Sequence, residues 1–227
     1  MIVSRLVGIG LCSQLLACPL AHDDPQPNRC LSDEDCFVKE GEFCGPRGRA
    51  SYQPGKASQA MMPRFGTELL VAAGYENLSW YGRGPVPTYI DRDYERLGVY
   101  KSTVDREWNE WPKPQENGNK VDVRWVALTN EKGVGLLAVG SPLLSVGAVH
   151  YPKSEIEGAD YSFKLSRRPQ VYLNLDLRQM GVGGVDSWSE NAFPLSPYRI
   201  PSGQSYSLKY RLTPVSGDFT AKAREAF

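Results

Sequence analysis

Val171-Tyr172-Leu173-Asn174-Leu175-Asp176-Leu177 puts an apolar side chain at every odd position, with Tyr172, Asn174 and Asp176 between them. Successive side chains of an extended strand point to opposite faces, so this alternation is that of a half-buried β-strand. Tyr206, Leu208, Tyr210 and Leu212 alternate with Ser205, Ser207, Lys209 and Arg211 in the same way. Val121, Val123, Trp125, Ala127 and Thr129 read as one face of a third strand, with Asp122 and Arg124 on the other. Tyr161, Phe163 and Leu165, set among Asp160, Ser162 and Lys164, read as a fourth. Asn130-Glu131-Lys132-Gly133 separates two such runs and reads as a hairpin turn. Between Arg92 and Trp111 the alternation fails, which predicts loop or weak helix. Phe219 to Phe227 suits a short helix capped by Asp218. The pattern predicts an all-β antiparallel sandwich.

Just beyond the first strand lies Met180-Gly181-Val182-Gly183-Gly184-Val185-Asp186-Ser187-Trp188-Ser189. The glycines allow positive φ and close backbone approach, which lets the chain turn sharply. Trp188 then follows on a loop beside the short polar groups of Asp186 and Ser187. A flat ring next to such groups suits a pyranose, whose apolar face stacks while its hydroxyls bond. The plainer alternative is a core Trp at a tight turn.

The chain has 227 residues, 41% of them hydrophobic, enough for one substantial core and a short extra segment. Its 26 basic and 26 acidic side chains cancel, which gives no electrostatic case for nucleic acid or an anionic membrane. Arg5 precedes an apolar run from Leu6 to Ala17, too short to span a bilayer and suited to an export signal. Leu15-Leu16-Ala17-Cys18 resembles a lipobox, with Leu16 where a small residue is usual, so Cys18 is a lipidation candidate and any membrane contact would run through that anchor. The organisation expected is a signal at 1–18, a flexible linker at 19–60, a sandwich at 61–216 and a tail or short helix at 217–227. Cys30, Cys36 and Cys44 read as disulfide candidates in the linker. A zinc site there is disfavoured, because His22 and His150 lie outside the cluster and no Cys-x-x-Cys occurs. Gly45 to Ala60 is assigned no fold.

Four motifs, the glycine segment among them, carry a family resemblance. Met62-Pro63-Arg64-Phe65-Gly66, Trp80-Tyr81-Gly82-Arg83-Gly84-Pro85 with Tyr89-Ile90-Asp91-Arg92, Pro114-Gln115-Glu116-Asn117-Gly118, and Met180 to Trp188 occur in this order. Residues 61–214 thereby resemble the carboxy-terminal half of the last domain, the small chain, of glycoside hydrolase family two β-galactosidases. The resemblance implies a supersandwich-like domain, incomplete here because its earlier strands would precede Met61, with exposed sheet edges as a result. It implies that Trp188, supported by Asp186 and Ser187, reaches into an active site and stacks on a β-galactoside. Val185 stands where the family often has an acid, which removes one hydroxyl partner. The turns at Trp80–Pro85 and Pro114–Gly118 read as structural. Asp91 and Arg92 read as an ion pair pinning a loop, or as sugar contacts with Glu116 and Asn117.

The family cleaves with two carboxylates about 5 Å apart on a (β/α)₈ barrel, with magnesium nearby. No such barrel fits here, so this chain is expected to carry no catalytic residue, metal or cofactor of its own. A pair drawn from Asp91, Asp93, Asp105, Glu107 and Glu116 is the remote alternative. Three roles are therefore open: an accessory chain completing a separate catalytic chain, an exported carbohydrate-binding module, or a truncated fragment.

Overall fold

The computed structural model describes residues 42–43, 47–52, 61–184 and 190–224. The segment at 1–18 read as an export signal, Cys18, Cys30, Cys36 and Cys44 lie outside the described residues, as do Val185–Ser189.

The described chain is an antiparallel all-β sandwich. Its strands are β1 (Glu42–Phe43), β2 (Arg47–Tyr52), β3 (Met61–Met62), β4 (Arg64–Val71), β5 (Asn77–Gly84), β6 (Arg96–Thr103), β7 (Lys120–Thr129), β8 (Val134–Val149), β9 (Val171–Gln179), β10 (Ile200–Pro201) and β11 (Tyr206–Ser216). Helix α1 spans Lys153–Gly158 and α2 spans Thr220–Arg224. The main sheet runs β1-β2-β11-β8-β7-β5-β6, and β8 also pairs with β9, which pairs with β4. Long β8 makes this branching possible. Its first half, Val134–Ser141, pairs with β11, and its second half, Ser145–Val149, pairs with β9. Leu69, Leu173 and Leu175 of the β4–β9 pair thus meet Trp80, Leu128 and Leu208 in one core.

The strands at Val171 and Tyr206 form as their alternation predicts. The hairpin also forms, with Gly133 at φ 71° and the Asn130 side-chain oxygen accepting from the N–H groups of Lys132 and Val134, each at 3.0 Å. Asp218 accepts from Thr220 N–H at 2.8 Å and starts α2.

Four readings are corrected. Strand β7 does not keep one face, because its register shifts twice, between Lys120 and Val123 and between Val123 and Trp125. Asp122 sits at φ 56° at the first shift, where the extra residue is on β7, whereas at the second the extra residues are on β8. Val123 therefore joins the main core, while Trp125 and Ala127 join a second cluster with Phe219 and Val215. The Tyr161–Leu165 run is a 3₁₀ turn at Ser162–Lys164, not a strand. Its backbone closes on itself, Lys164 N–H to Tyr161 O at 3.1 Å, and leaves Tyr161 and Phe163 exposed and stacked. Inside the segment read as loop, Arg96–Thr103 is edge strand β6, with Leu97 and Val99 exposed. Trp80–Gly84 is the end of β5 rather than a turn. In addition β2, within the stretch given no fold, pairs with β11.

Two rings and a buried ion pair lock the sheet to its loops. Trp80 stacks on Tyr100 at 5.4 Å and donates its indole N–H to Arg83 O at 3.0 Å. Lys120 Nζ lies 5.1 Å from the Trp80 ring centre and is ion-paired to Glu107 in the interior. Burial pushes the Lys120 ammonium below the usual lysine range, opposed by Glu107. Removing one partner of such a pair leaves an uncompensated buried charge. Lys120→Met is expected to cost about 3–5 kcal/mol, and adding Glu107→Leu should restore most of that loss. Urea unfolding of the wild type and both variants checks it, and equal stability of Lys120→Met and wild type would contradict the pairing.

Candidate functional site

The glycine-rich segment after β9 is held from three directions. Met180 N–H donates to Pro63 O at 2.9 Å, Gly181 N–H to Tyr198 O at 2.8 Å, and Gly183 N–H to Asp91 Oδ2 at 2.7 Å. The glycines serve close approach, and none of Gly181, Gly183 and Gly184 has a positive φ. A Cβ on Gly181 would collide with the Asp91 carboxylate and lie 2.9 Å from Tyr198 Cβ. One on Gly184 would meet the Ala192 carbonyl at 2.5 Å.

Asp91 is presented by a loop that is itself stitched down. Tyr89 and Arg92 exchange backbone hydrogen bonds of 3.1 and 2.9 Å, which makes a tight turn around Ile90 and Asp91. Thr88 N–H donates to Asn119 O at 2.8 Å, Asn119 Nδ2 returns a bond to Thr88 O at 2.9 Å, and Val121 N–H donates to Thr88 Oγ1 at 3.0 Å. Burial pushes the nearby Tyr89 hydroxyl well above the usual phenol range, and Glu116 adds to the effect. The Asp91–Arg92 ion pair does not form. Arg92 Nε donates instead to the Tyr94 hydroxyl at 3.2 Å, and Asp91 takes the glycine amide. Asp91 Oδ1 is buried with no hydrogen-bond partner among the described residues.

Arg64, at the start of β4, gathers the same corner. Its guanidinium donates to Glu116 at 2.7 Å and to Gln179 Oε1 at 3.0 Å, and lies 3.3 Å from Asp176. Register explains this, because Arg64 pairs with Gln179 at the end of β9 next to Met180. Asp176 is buried, which raises its carboxyl above the usual range, against the pull of Arg64. Asn117, in contrast, turns inward. Its Oδ1 accepts from Asn109 N–H at 2.9 Å and its Nδ2 donates to Asn109 O at 2.5 Å, so both ends close the Trp108–Asn117 loop.

Three sequence motifs far apart in the chain thus converge on one corner through Arg64, Asp91 and Glu116, beside the segment that leads to Asp186, Ser187 and Trp188. Sequence reasoning passed over Arg64, Asp176 and Gln179. A conspicuous Arg in the Met62–Gly66 motif was the available signal. Of the five acids weighed as a catalytic pair, four are engaged elsewhere: Asp91 with Gly183, Glu107 with Lys120, Glu116 with Arg64, and Asp105 with Arg167 at 2.8 Å. A groove of about 760 Å³ lies on another face, lined by Tyr81, Val99, Lys101, Trp125 and Phe219, and none of the predicted site residues borders it.

The model of the β-galactosidase small chain family matches residues 44–212. The chain belongs to that family. It is 36% identical over 155 residues to a β-galactosidase of Priestia megaterium, covering 68% of this chain and 15% of that protein. It is 34% identical over 154 residues to β-galactosidase BgaC of Bifidobacterium adolescentis, covering 66% and 14%. A β-galactosidase of Lactobacillus delbrueckii subsp. bulgaricus is 34% identical over 142 residues, covering 62% and 14%. The chain thus spans about one-seventh of the length of these relatives. The match also starts upstream of Met61, in keeping with β2 being part of the main sheet.

Arg64 should dominate the stability of this small-chain corner. Arg64→Met leaves Asp176 buried without its cation, at an expected cost of about 3–5 kcal/mol. A carboxyl raised in the folded state is favoured there when protonated, so its contribution is greatest at low pH and declines as pH rises through the raised value. Without Arg64 that decline should steepen. Urea unfolding at about pH 5 and about pH 8 should show a larger loss at the higher pH in Arg64→Met than in wild type, and Asp176→Asn should remove the difference. Parallel pH profiles would contradict it.

Proposed function

We propose that this chain forms the sugar-stacking wall of a β-galactosidase active site and completes a catalytic (β/α)₈ chain that supplies the carboxylate pair and its magnesium. The observation that carries the reading is the Gly183 N–H to Asp91 bond, which ties the approach to Asp186-Ser187-Trp188 to a separate, rigid loop. Stacking of a pyranose on an aromatic ring requires the ring to be held in position before the sugar arrives, and small displacements cost rate. Backbone anchors at Met180, Gly181 and Gly183 supply such a hold. The names of the relatives support galactosides as the substrate class. On this reading the domain is the carboxy-terminal half of the last domain of a glycoside hydrolase family two enzyme, Trp188 stacks on the galactosyl ring, and Asp186 and Ser187 bond its hydroxyls. The leader exports the chain, and Cys18 is its lipid anchor.

The test is hydrolysis of a chromogenic β-galactoside by the full chain, alone and mixed with a relative's polypeptide from which the small-chain part has been removed. Activity is expected only in the mixture. Trp188→Ala should lower it on the order of 100-fold, and Asp91→Ala on the order of 10-fold with the fold intact by circular dichroism. Hydrolysis by the chain alone would overturn the division of labour. An inactive mixture whose Trp fluorescence still responds to galactose would replace the reading with a carbohydrate-binding module.

A further inference from the structure

At the end of the β4–β9 pair opposite the glycine segment, four loops bring Glu76, Asp105, His150 and Arg167 together. His150 is buried, while Glu76 is half-buried and Asp105 exposed, so the cluster opens to solvent on one side. His150 Nδ1 lies 2.9 Å from Gln170 O, and a carbonyl only accepts, so Nδ1 carries the hydrogen. Nε2 then faces Glu76 Oε2 at 2.8 Å, Asp105 Oδ1 at 3.7 Å and Arg167 Nη2 at 2.9 Å.

These contacts do not satisfy one another. If Nε2 carries a lone pair it can accept from Arg167, but that lone pair then opposes Glu76. If Nε2 carries a hydrogen it can donate to Glu76, but it then meets the N–H of Arg167. Either protonation state leaves one close contact mismatched. A cation facing all three groups removes the conflict, because one imidazole lone pair and two carboxylates would all point at it.

We infer that Glu76, Asp105 and His150 form a site for a divalent transition-metal ion of the zinc class, for which the Arg167 guanidinium competes. The donor atoms all lie within 4.8 Å of one another. Bonds of about 2.1 Å in a tetrahedron give donor separations of about 3.4 Å, and the 2.8 and 3.7 Å measured from Nε2 fall on either side of that value. Imidazole and carboxylates are the ligands such ions take, and the Gln170 carbonyl fixes the tautomer from behind, as outer partners of metal-bound histidines do. Arg167 also grips Asp105 through Nε at 2.8 Å and Nη2 at 3.0 Å, and it is exposed enough to swing outward. The ion would join the β4–β5 turn, the segment after β6 and the end of β8. Its role would be to fasten these loops, remote from the sugar-facing corner.

Zinc titration by calorimetry and by thermal unfolding tests this on the full chain. The chain also carries five cysteines and a second histidine, His22, residue types with affinity for zinc, so differences between variants are the readout. Arg167→Gln should tighten one zinc equivalent on the order of 10-fold, within the range of charge–ligand coupling, and enlarge the zinc-induced rise in Tm. Arg167→Gln combined with His150→Gln should lose that equivalent. Because His150 is buried, Arg167→Gln combined with Asp105→Asn, altered only at exposed side chains, should weaken it as well. Unchanged affinity in Arg167→Gln, or the same stoichiometry in all variants, would overturn the site and leave an ion-pair network only.

Discussion

The guanidinium of Arg64 is the constraint on which the corner around the glycine segment depends. A fully buried carboxylate such as Asp176 is costly unless a cation and hydrogen bonds compensate it, and Arg64 is the cation within reach. Meeting that need fixes where the guanidinium lies. Its remaining N–H groups then reach Glu116 on one side and Gln179 on the other. Strand β4, the end of β9 and the Pro114–Gly118 loop are brought into one arrangement by a planar fork with few alternative geometries. The glycine segment begins directly after this junction, so its origin is placed before its own anchors act.

Those anchors are of a different kind. Met180, Gly181 and Gly183 are held through backbone amides, and the glycines leave no room for other side chains against Asp91, Tyr198 and Ala192. Hydrogen bonds from a short backbone fix position with little loss of side-chain entropy, whereas long side chains would have to be ordered at further cost. The corner thus combines charge, which sets the junction, with close backbone contact, which sets the path leaving it.

Much of the fold was legible because most strands bury one face. Val171–Leu177 and Tyr206–Leu212 show the two-residue period cleanly and form as expected. Legibility failed where the period was broken or imitated. Edge strand β6 carries apolar residues on both faces, since Leu97 and Val99 face outward while Tyr100 stacks on Trp80, so no alternation survives. Tyr161 and Phe163 imitate a strand, but they stack on each other at the surface with no sheet to join. In β7 the two register shifts hide behind Asp122 and Arg124, which keep the two-residue polar alternation in the sequence while the pairing with β8 slips. At the site, the motifs identified the segments but not their partners. The Asp91–Gly183 bond spans 92 positions, and local reading favoured the neighbouring Arg92 instead.

The same limit explains the His150 cluster. Its members come from four loops, at positions 76, 105, 150 and 167, and none has a spacing that suggests joint action. They meet because β4 and β8 end and β9 begins at the same level of the sandwich, as the pairings of Val71 with Val171 and of Val149 with Tyr172 require, and because Val104 N–H, just before Asp105, donates to Glu76 O at 3.0 Å. Antiparallel register therefore gives the β4–β9 pair two furnished ends. At the Arg64 end the charges are matched in sign, with one guanidinium shared among Glu116, Gln179 and Asp176, although Asp176 Oδ2 has no hydrogen-bond partner among the described residues. At the His150 end the half-buried and exposed charges around the buried ring are matched in sign but not in hydrogen-bond direction, because two acceptors and a donor compete for one ring nitrogen. A mismatch of that kind in a well-packed sandwich marks the place where a further cation has most to gain.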